Sequence, residues 1–150
     1  MAMYLALVNH YRKFSTYGSD IKPRPPAKEE TIMDAEKKIG VSFPQALREM
    51  LLEMDGDCDL LFCVEQIIEI HQSIPIRYNG TDKLLVFGGD GAGNFYGYEI
   101  HQGKIQDTHI VFYNHETHRV YCDEICKAIS LYDFIKKFYE MCYGEDGADE

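Results

Sequence analysis

Three short stretches of this 150-residue chain hold the residue types that chemistry uses. "FGGDGAGNFYGYE", Phe87 to Glu99, sets Gly88, Gly89, Gly91, Gly93 and Gly97 around Asp90 and Asn94, as a loop cradling a phosphate would. Yet no glycine in it has partners at both +2 and +5, and no lysine follows as in a P-loop. The segment after it reads as a strand, whereas phosphate loops deliver the anion to a helix N-terminus. The stretch is therefore expected to connect two strands, its glycines supplying positive φ.

"DGDCD", Asp55 to Asp59, places carboxylates at positions one, three and five of a calcium loop. Position six is Leu60 and position twelve is Gln66, so the tight turn and the bidentate carboxylate are both missing. A solvated loop at a helix end is the expectation. "HETH", His115 to His118, is one residue short of the spacing that puts two imidazoles on one helical face, and it lies between two strand-like runs. It reads as a hairpin turn. Cys122 and Cys126 lie nearby, but one C-x3-C pair without a second does not define a metal centre, and no nucleophile signature surrounds any cysteine. No metal, no cofactor and no enzymatic activity are expected.

These stretches must be held by the elements around them. "MAMYLALVNHYRKF" has helical spacing, with Leu5, Val8 and Arg12 on one side, and Ser15 to Pro26 reads as a proline-rich connector. Lys28 to Ile39 predicts a helix bearing Ile32, Ala35, Glu36 and Ile39, ended by Gly40. A second follows, with Ser42 or Phe43 as cap, Pro44 in the first turn, a stripe of Leu47, Met50, Leu51 and Met54, and Gly56 closing it. Residues 60–76 fit a short strand followed by a helical turn, ended by Pro75. "KLLVFG", "FYGYEI", "THIVFYN" and "RVYC" are then four strands of an antiparallel meander. Ser130 and Asp133 start a last helix carrying Leu131, Phe134, Ile135, Phe138 and Met141.

The expected fold is a single α+β domain: an antiparallel sheet of about four to six strands, with N-terminal helices and a C-terminal helix packed around it, the helices on one face. Residues 1–27 form the N-terminal helix and connector, 28–143 the domain, and 144–150 an acidic tail.

Twenty-five acids against 15 bases give a formal net charge of −10. Such a field disfavours nucleic acid and anionic membranes and suits both solubility and steering toward a basic partner. Five irregularly spaced cysteines, Cys58, Cys63, Cys122, Cys126 and Cys142, fit a reducing cytoplasm. No apolar run reaches membrane-spanning length, and the N-terminus lacks the basic leader and cleavage site of a signal peptide.

Taken in order, "IMDAEKKIGVSFPQALREMLLEMDG", "LLVFGGDGAGNFYGYEI", "IVFYNHETHRVY" and "ISLYDFIKKFYE" resemble the SUKH superfamily, typified by the Smi and Knr cell-wall assembly regulators, over about residues 28 to 142. Ile39, Gly40, Pro44, Gly56, Gly88, Asp90, Gly93 and Phe134 match its motif positions. The chain has no Trp, although members often carry one before the first family helix, and Asp55 stands where Asn is usual. The resemblance implies helices around an antiparallel sheet. For bacterial members it implies immunity proteins that neutralise a cognate polymorphic toxin, often a nuclease; for fungal members it implies regulatory interaction proteins. The expected partner is thus a protein, a basic toxin domain, met by Asp55, Asp57, Asp59, Asp90, Asn94, Tyr96 and Glu116. Each of these reads equally as a solvated loop residue.

Overall fold

The computed structural model describes residues 2–14, 21–73, 83–122, 126 and 130–144. Among them are five α-helices and four strands in the order α1 (Met3–Phe14), α2 (Glu29–Ile39), α3 (Gln45–Glu53), α4 (Val64–Ser73), β1 (Lys83–Gly89), β2 (Phe95–His101), β3 (Lys104–Asn114), β4 (Arg119–Tyr121) and α5 (Leu131–Tyr139). A single π-helical turn, Glu140–Gly144, extends α5. The expected α+β architecture is correct.

Amphipathic spacing builds the helical layer. The buried stripe of α1 is Tyr4, Leu7, Val8 and Tyr11, while Arg12 is exposed and Leu5 half-buried, so the inward side is turned from the one expected. Glu53, at the end of α3, accepts hydrogen bonds from the N–H groups of Tyr4 (2.7 Å) and Leu5 (3.0 Å), capping α1 from another helix. The described part of the connector, residues 21–27, is strapped down: Lys22 N–H bonds the Asp57 carbonyl (2.7 Å), Arg24 N–H that of Gly56 (3.1 Å), and Ala27 N–H that of Leu51 (2.9 Å).

Helix α2 ends as expected at Gly40, in the left-handed region at φ 89°. Glu36 on α2 accepts from Phe43 N–H (2.7 Å) and Arg48 Nη1 (2.6 Å), and the same guanidinium reaches Glu29, so Arg48 clamps α2 to α3. Pro44 is the N-cap of α3, with no side-chain cap from Ser42 or Phe43, and Met54 ends the helix. Gly56 lies beyond that end: it has φ +84°, and a Cβ there would lie 2.8 Å from both Cys63 N and the Leu61 carbonyl oxygen. Close approach to the next segment and the left-handed φ, and not helix termination, require glycine at this position.

Residues 60–76 resolve into an isolated bridge, Leu61 to Gly88, and the full helix α4; Pro75 lies outside the described residues. Gln66 Oε1 accepts from Cys63 N–H (3.1 Å) as the far half of a capping box, and Asp55 Oδ1 caps the next N–H, that of Val64 (2.8 Å).

The sheet is an antiparallel meander, β1-β2-β3-β4. Gln102 (φ 53°) and Gly103 (φ 75°) make the two-residue β2–β3 turn, the backbone geometry that matches strand twist. One face carries Leu85, Phe87, Tyr96, Tyr98, Ile100, Ile110 and Phe112 into the main core with α1, α2, α3 and α5. The other carries Leu84, Val86, Val111, Tyr113 and Val120 into a smaller cluster with Phe62, Ile70 and Phe95. Helix α4 flanks β1 and serves both, giving Val64 and Ile67 to the first and Ile70 to the second. The helices thus pack chiefly on one face, as expected, and α4, at the β1 edge, reaches the second cluster only through Ile70; residues 60–76 were too short an apolar run to show that helix. Ser130 caps α5 by accepting from Asp133 N–H (3.1 Å), and Leu131, Phe134, Ile135 and Phe138 are buried as expected. Met141, in the π turn, is exposed.

Candidate protein-interaction rim

The glycine-rich stretch turns the chain at one end of the sheet. Gly91 (φ +82°) and Gly93 (φ +94°) use the left-handed region, whereas Gly88, Gly89 and Gly97 are needed for space. A Cβ on Gly97 would lie 2.4 Å from the Leu85 carbonyl oxygen, and one on Gly88 2.7 Å from that of Leu60. Asp90 organises the turn: Oδ1 accepts from the N–H groups of Ala92 (2.9 Å) and Asn94 (3.3 Å), and Oδ2 from Asn94 Nδ2 (2.9 Å).

Asn94 carries the network into the next turn. Its Oδ1 accepts from His115 N–H (3.0 Å) and lies 2.7 Å from Nδ1 of the same ring, which packs over Gly93. Residues 115–118 form the β3–β4 hairpin turn that the spacing indicated. Asn114 Oδ1 accepts from Glu116 N–H (2.8 Å) and Thr117 N–H (3.2 Å), and the Tyr113 hydroxyl meets His118 Nδ1 at 2.8 Å. Loop 58–62 runs alongside, Gly89 N–H bonding the Leu60 carbonyl (2.9 Å) and Phe62 N–H that of Phe87 (2.9 Å).

Of the seven residues expected to meet a partner, Asp90, Asn94 and Glu116 come together in these two turns, and Asp59 lies exposed in the neighbouring loop. Asp55 is half-buried as the cap of α4. Asp57 and Tyr96 depart from the expectation. Tyr96 is 5% exposed, its ring packed on Phe112, Phe134 and Phe138. Successive strand residues point to opposite faces, so the half-buried aromatic is its neighbour Phe95, stacked on Tyr113 (12° between planes) and edge-on to Phe62 (centroids 6.1 Å). Phe62 and Phe95 were missed; the signal was the alternation of Tyr96, Tyr98 and Ile100, which commits that set to the core.

Asp57 is 0% exposed. Oδ1 accepts from the N–H groups of Asp59 (2.9 Å) and Leu61 (2.7 Å), and Oδ2 from the Tyr139 hydroxyl. Burial pushes the carboxyl up to about 6, against the pull of those three donors. A carboxylate so enclosed organises its loop and cannot touch a solvent-borne substrate. Among the described residues, no group of three or more His, Cys, Asp or Glu side chains is arranged to hold a metal ion, and no helix is long and apolar enough to cross a membrane.

The rim therefore presents Asp90 and Glu116 on turns fixed by their own hydrogen bonds, with the half-buried Phe62–Phe95 pair packed against Gly89 next to Asp90, while Asp59 lies exposed in the neighbouring loop. Charged groups at an edge and aromatic anchors at a centre are the composition of a protein-binding surface. Comparison with protein families matches residues 26–140 to the SMI1 / KNR4 family (SUKH-1). No curated protein matches the chain.

Proposed function

The chain belongs to the SMI1 / KNR4 family (SUKH-1), and on that premise we propose that it is an intracellular protein-binding module that neutralises a cognate polymorphic toxin, in particular a basic nuclease domain, by covering it. The observation that carries this reading is the rim: exposed carboxylates at Asp90 and Glu116 on two joined turns next to the Phe62–Phe95 pair, with Asp59 exposed in the adjoining loop, on a chain of net charge −10. Carboxylates take the place of phosphates against the toxin's Lys and Arg side chains and steer the encounter, and the aromatic pair anchors the centre. The chain performs no chemistry in this mechanism; it denies the toxin its substrate groove.

The test is co-purification with the product of the neighbouring gene, at low and at high salt. The expected result is a complex that weakens as salt rises and is lost when Asp59, Asp90 and Glu116 are together replaced by lysine. A complex indifferent to both changes overturns docking through this rim. A neighbouring frame with no toxin-like product, together with capture of a cellular regulator, would instead favour the Smi/Knr type of scaffold.

A further inference from the structure

On another side of the sheet, two helix N-termini converge on one cleft. It holds about 210 Å³ and is lined by Pro44, Gln45 and Ala46 at the start of α3, Ser130 and Leu131 at the start of α5, and Tyr98, Asp107, His109 and Ile110 from the sheet. Beside the cleft the β2–β3 register breaks between the pairs Gly97–Val111 and Glu99–Gln106, so that residues 107–110 of β3 bulge opposite the single residue Tyr98.

Among the described residues, donors at this cleft lack acceptors. The first N–H groups of α3 have no carbonyl one turn back, and its N-cap, Pro44, offers no side chain to bond them. In α5, Ser130 Oγ is taken by Asp133 N–H, which leaves the N–H groups of Leu131 and Tyr132 without that cap. The independent observation is Tyr98. Its side chain is 3% exposed, it lines the cleft, and its hydroxyl makes no hydrogen bond to any described residue. Burial first, then the Tyr4 hydroxyl and the Asp107 carboxylate, push this phenol well above its ordinary range, so it stays a donor. A buried donor facing an open space next to two positive helix ends is arranged for an acceptor with negative charge.

We propose that this cleft binds a single carboxylate group, held by the α3 and α5 N–H groups and the Tyr98 hydroxyl. Asp107 on the rim and a chain of net charge −10 oppose any anion, and the opposition roughly doubles for a phosphate dianion, so a singly charged carboxylate is favoured. The volume lies below the range of whole-ligand pockets and suits one end of a small acid or the C-terminus of a peptide. His109, whose Nε2 is 3.3 Å from Glu99 Oε1, closes the cleft on the sheet side.

The experiment titrates full-length protein with propionate, inorganic phosphate, and a short peptide carrying either a free or an amidated C-terminus, following the amide resonances of Gln45, Ala46 and Leu131. Expected are saturable shifts with the free carboxylates and none with the amidated peptide or phosphate. Propionate binding as tightly as the peptide identifies a small acid as the source, whereas response to the free peptide alone identifies a protein terminus. Tyr98→Phe, which keeps the ring against Phe87, should weaken binding about tenfold, the worth of a hydrogen bond to a charged group. Gln45→Pro removes one N–H at a position where proline suits a helix, after a Pro44 already extended at ψ 147°, and should weaken binding while α3 persists. No shift with either carboxylate, tighter binding of phosphate, or unchanged affinity in both variants would overturn the proposal.

Discussion

Tyr139 donates its hydroxyl hydrogen to Oδ2 of Asp57 from 82 positions away, and both residues are 0% exposed. The bond ties the end of α5 to the loop after α3. That loop in turn receives the connector at Lys22 and Arg24 and caps α4 through Asp55.

Asp57 makes stability depend on pH in a direction opposite to that of most carboxylates. Its folded value, about 6, lies above the ordinary one of 3.8, so the folded state binds the proton more tightly than the unfolded state. Its contribution is therefore fully present below about pH 4 and is lost as pH rises through about 6, by on the order of 2–3 kcal/mol. Asp57→Asn keeps an oxygen for the N–H groups of Asp59 and Leu61 and removes the charge. Denaturant unfolding from pH 4 to 7 should show the stability difference between variant and parent shifting in the variant's favour with rising pH. A constant difference would refute this.

Glycines 97 and 91 should separate space from conformation. Gly97→Ala forces a Cβ against the Leu85 carbonyl and should cost about 2–3 kcal/mol through strand displacement. Gly91→Ala meets nothing within 4 Å and pays only for its positive φ, about 1 kcal/mol. Thermal unfolding of the two variants gives the ranking directly.

Glu53→Ala should release α1 without unfolding the sheet. Two N–H groups lose their acceptor, a cost of about 1–2 kcal/mol. Hydrogen exchange should rise in residues 4–11 while β1 to β3 stay protected; equal loss of protection everywhere would show that α1 does not open separately.

Phe62→Ala and Phe95→Ala should each weaken the proposed partner complex by about 2 kcal/mol or more, chiefly through faster dissociation, whereas Asp90→Asn and Glu116→Gln should chiefly slow association. Surface binding kinetics against the neighbouring gene product distinguish the two classes. The aromatic variants need a stability control, because Phe95 also stacks on Tyr113.

What the sequence disclosed was whatever is decided within a turn or a strand repeat. Ser130 with Asp133, Gly40 after Ile39 and the period-two runs of the meander are local signals, and the elements stand where they put them, except that β3 begins at Lys104, four residues before the run "THIVFYN". Asp57 illustrates what was hidden: in "DGDCD" it is one acid among three, and nothing nearby announces that its third hydrogen-bond donor is Tyr139. Helix α4 was masked because its capping box opens on Cys63, a residue that does not signal a helix start. The rim residues Phe62 and Phe95 required the register of the sheet, where a step of one residue exchanges core for surface.

The packing of α1 against α5 also constrains how the molecule is made. Tyr4 packs against Tyr132 and Tyr11 against Tyr139, so the main core cannot close until α5 has been synthesised. At about 5–20 residues per second, the nascent chain carries Asp57 for several seconds before its phenol partner emerges. During that interval the carboxylate lacks its third donor and the apolar stripe of α1 has only part of its cover, the part that α3 supplies, so closure of the main core waits on the synthesis of α5.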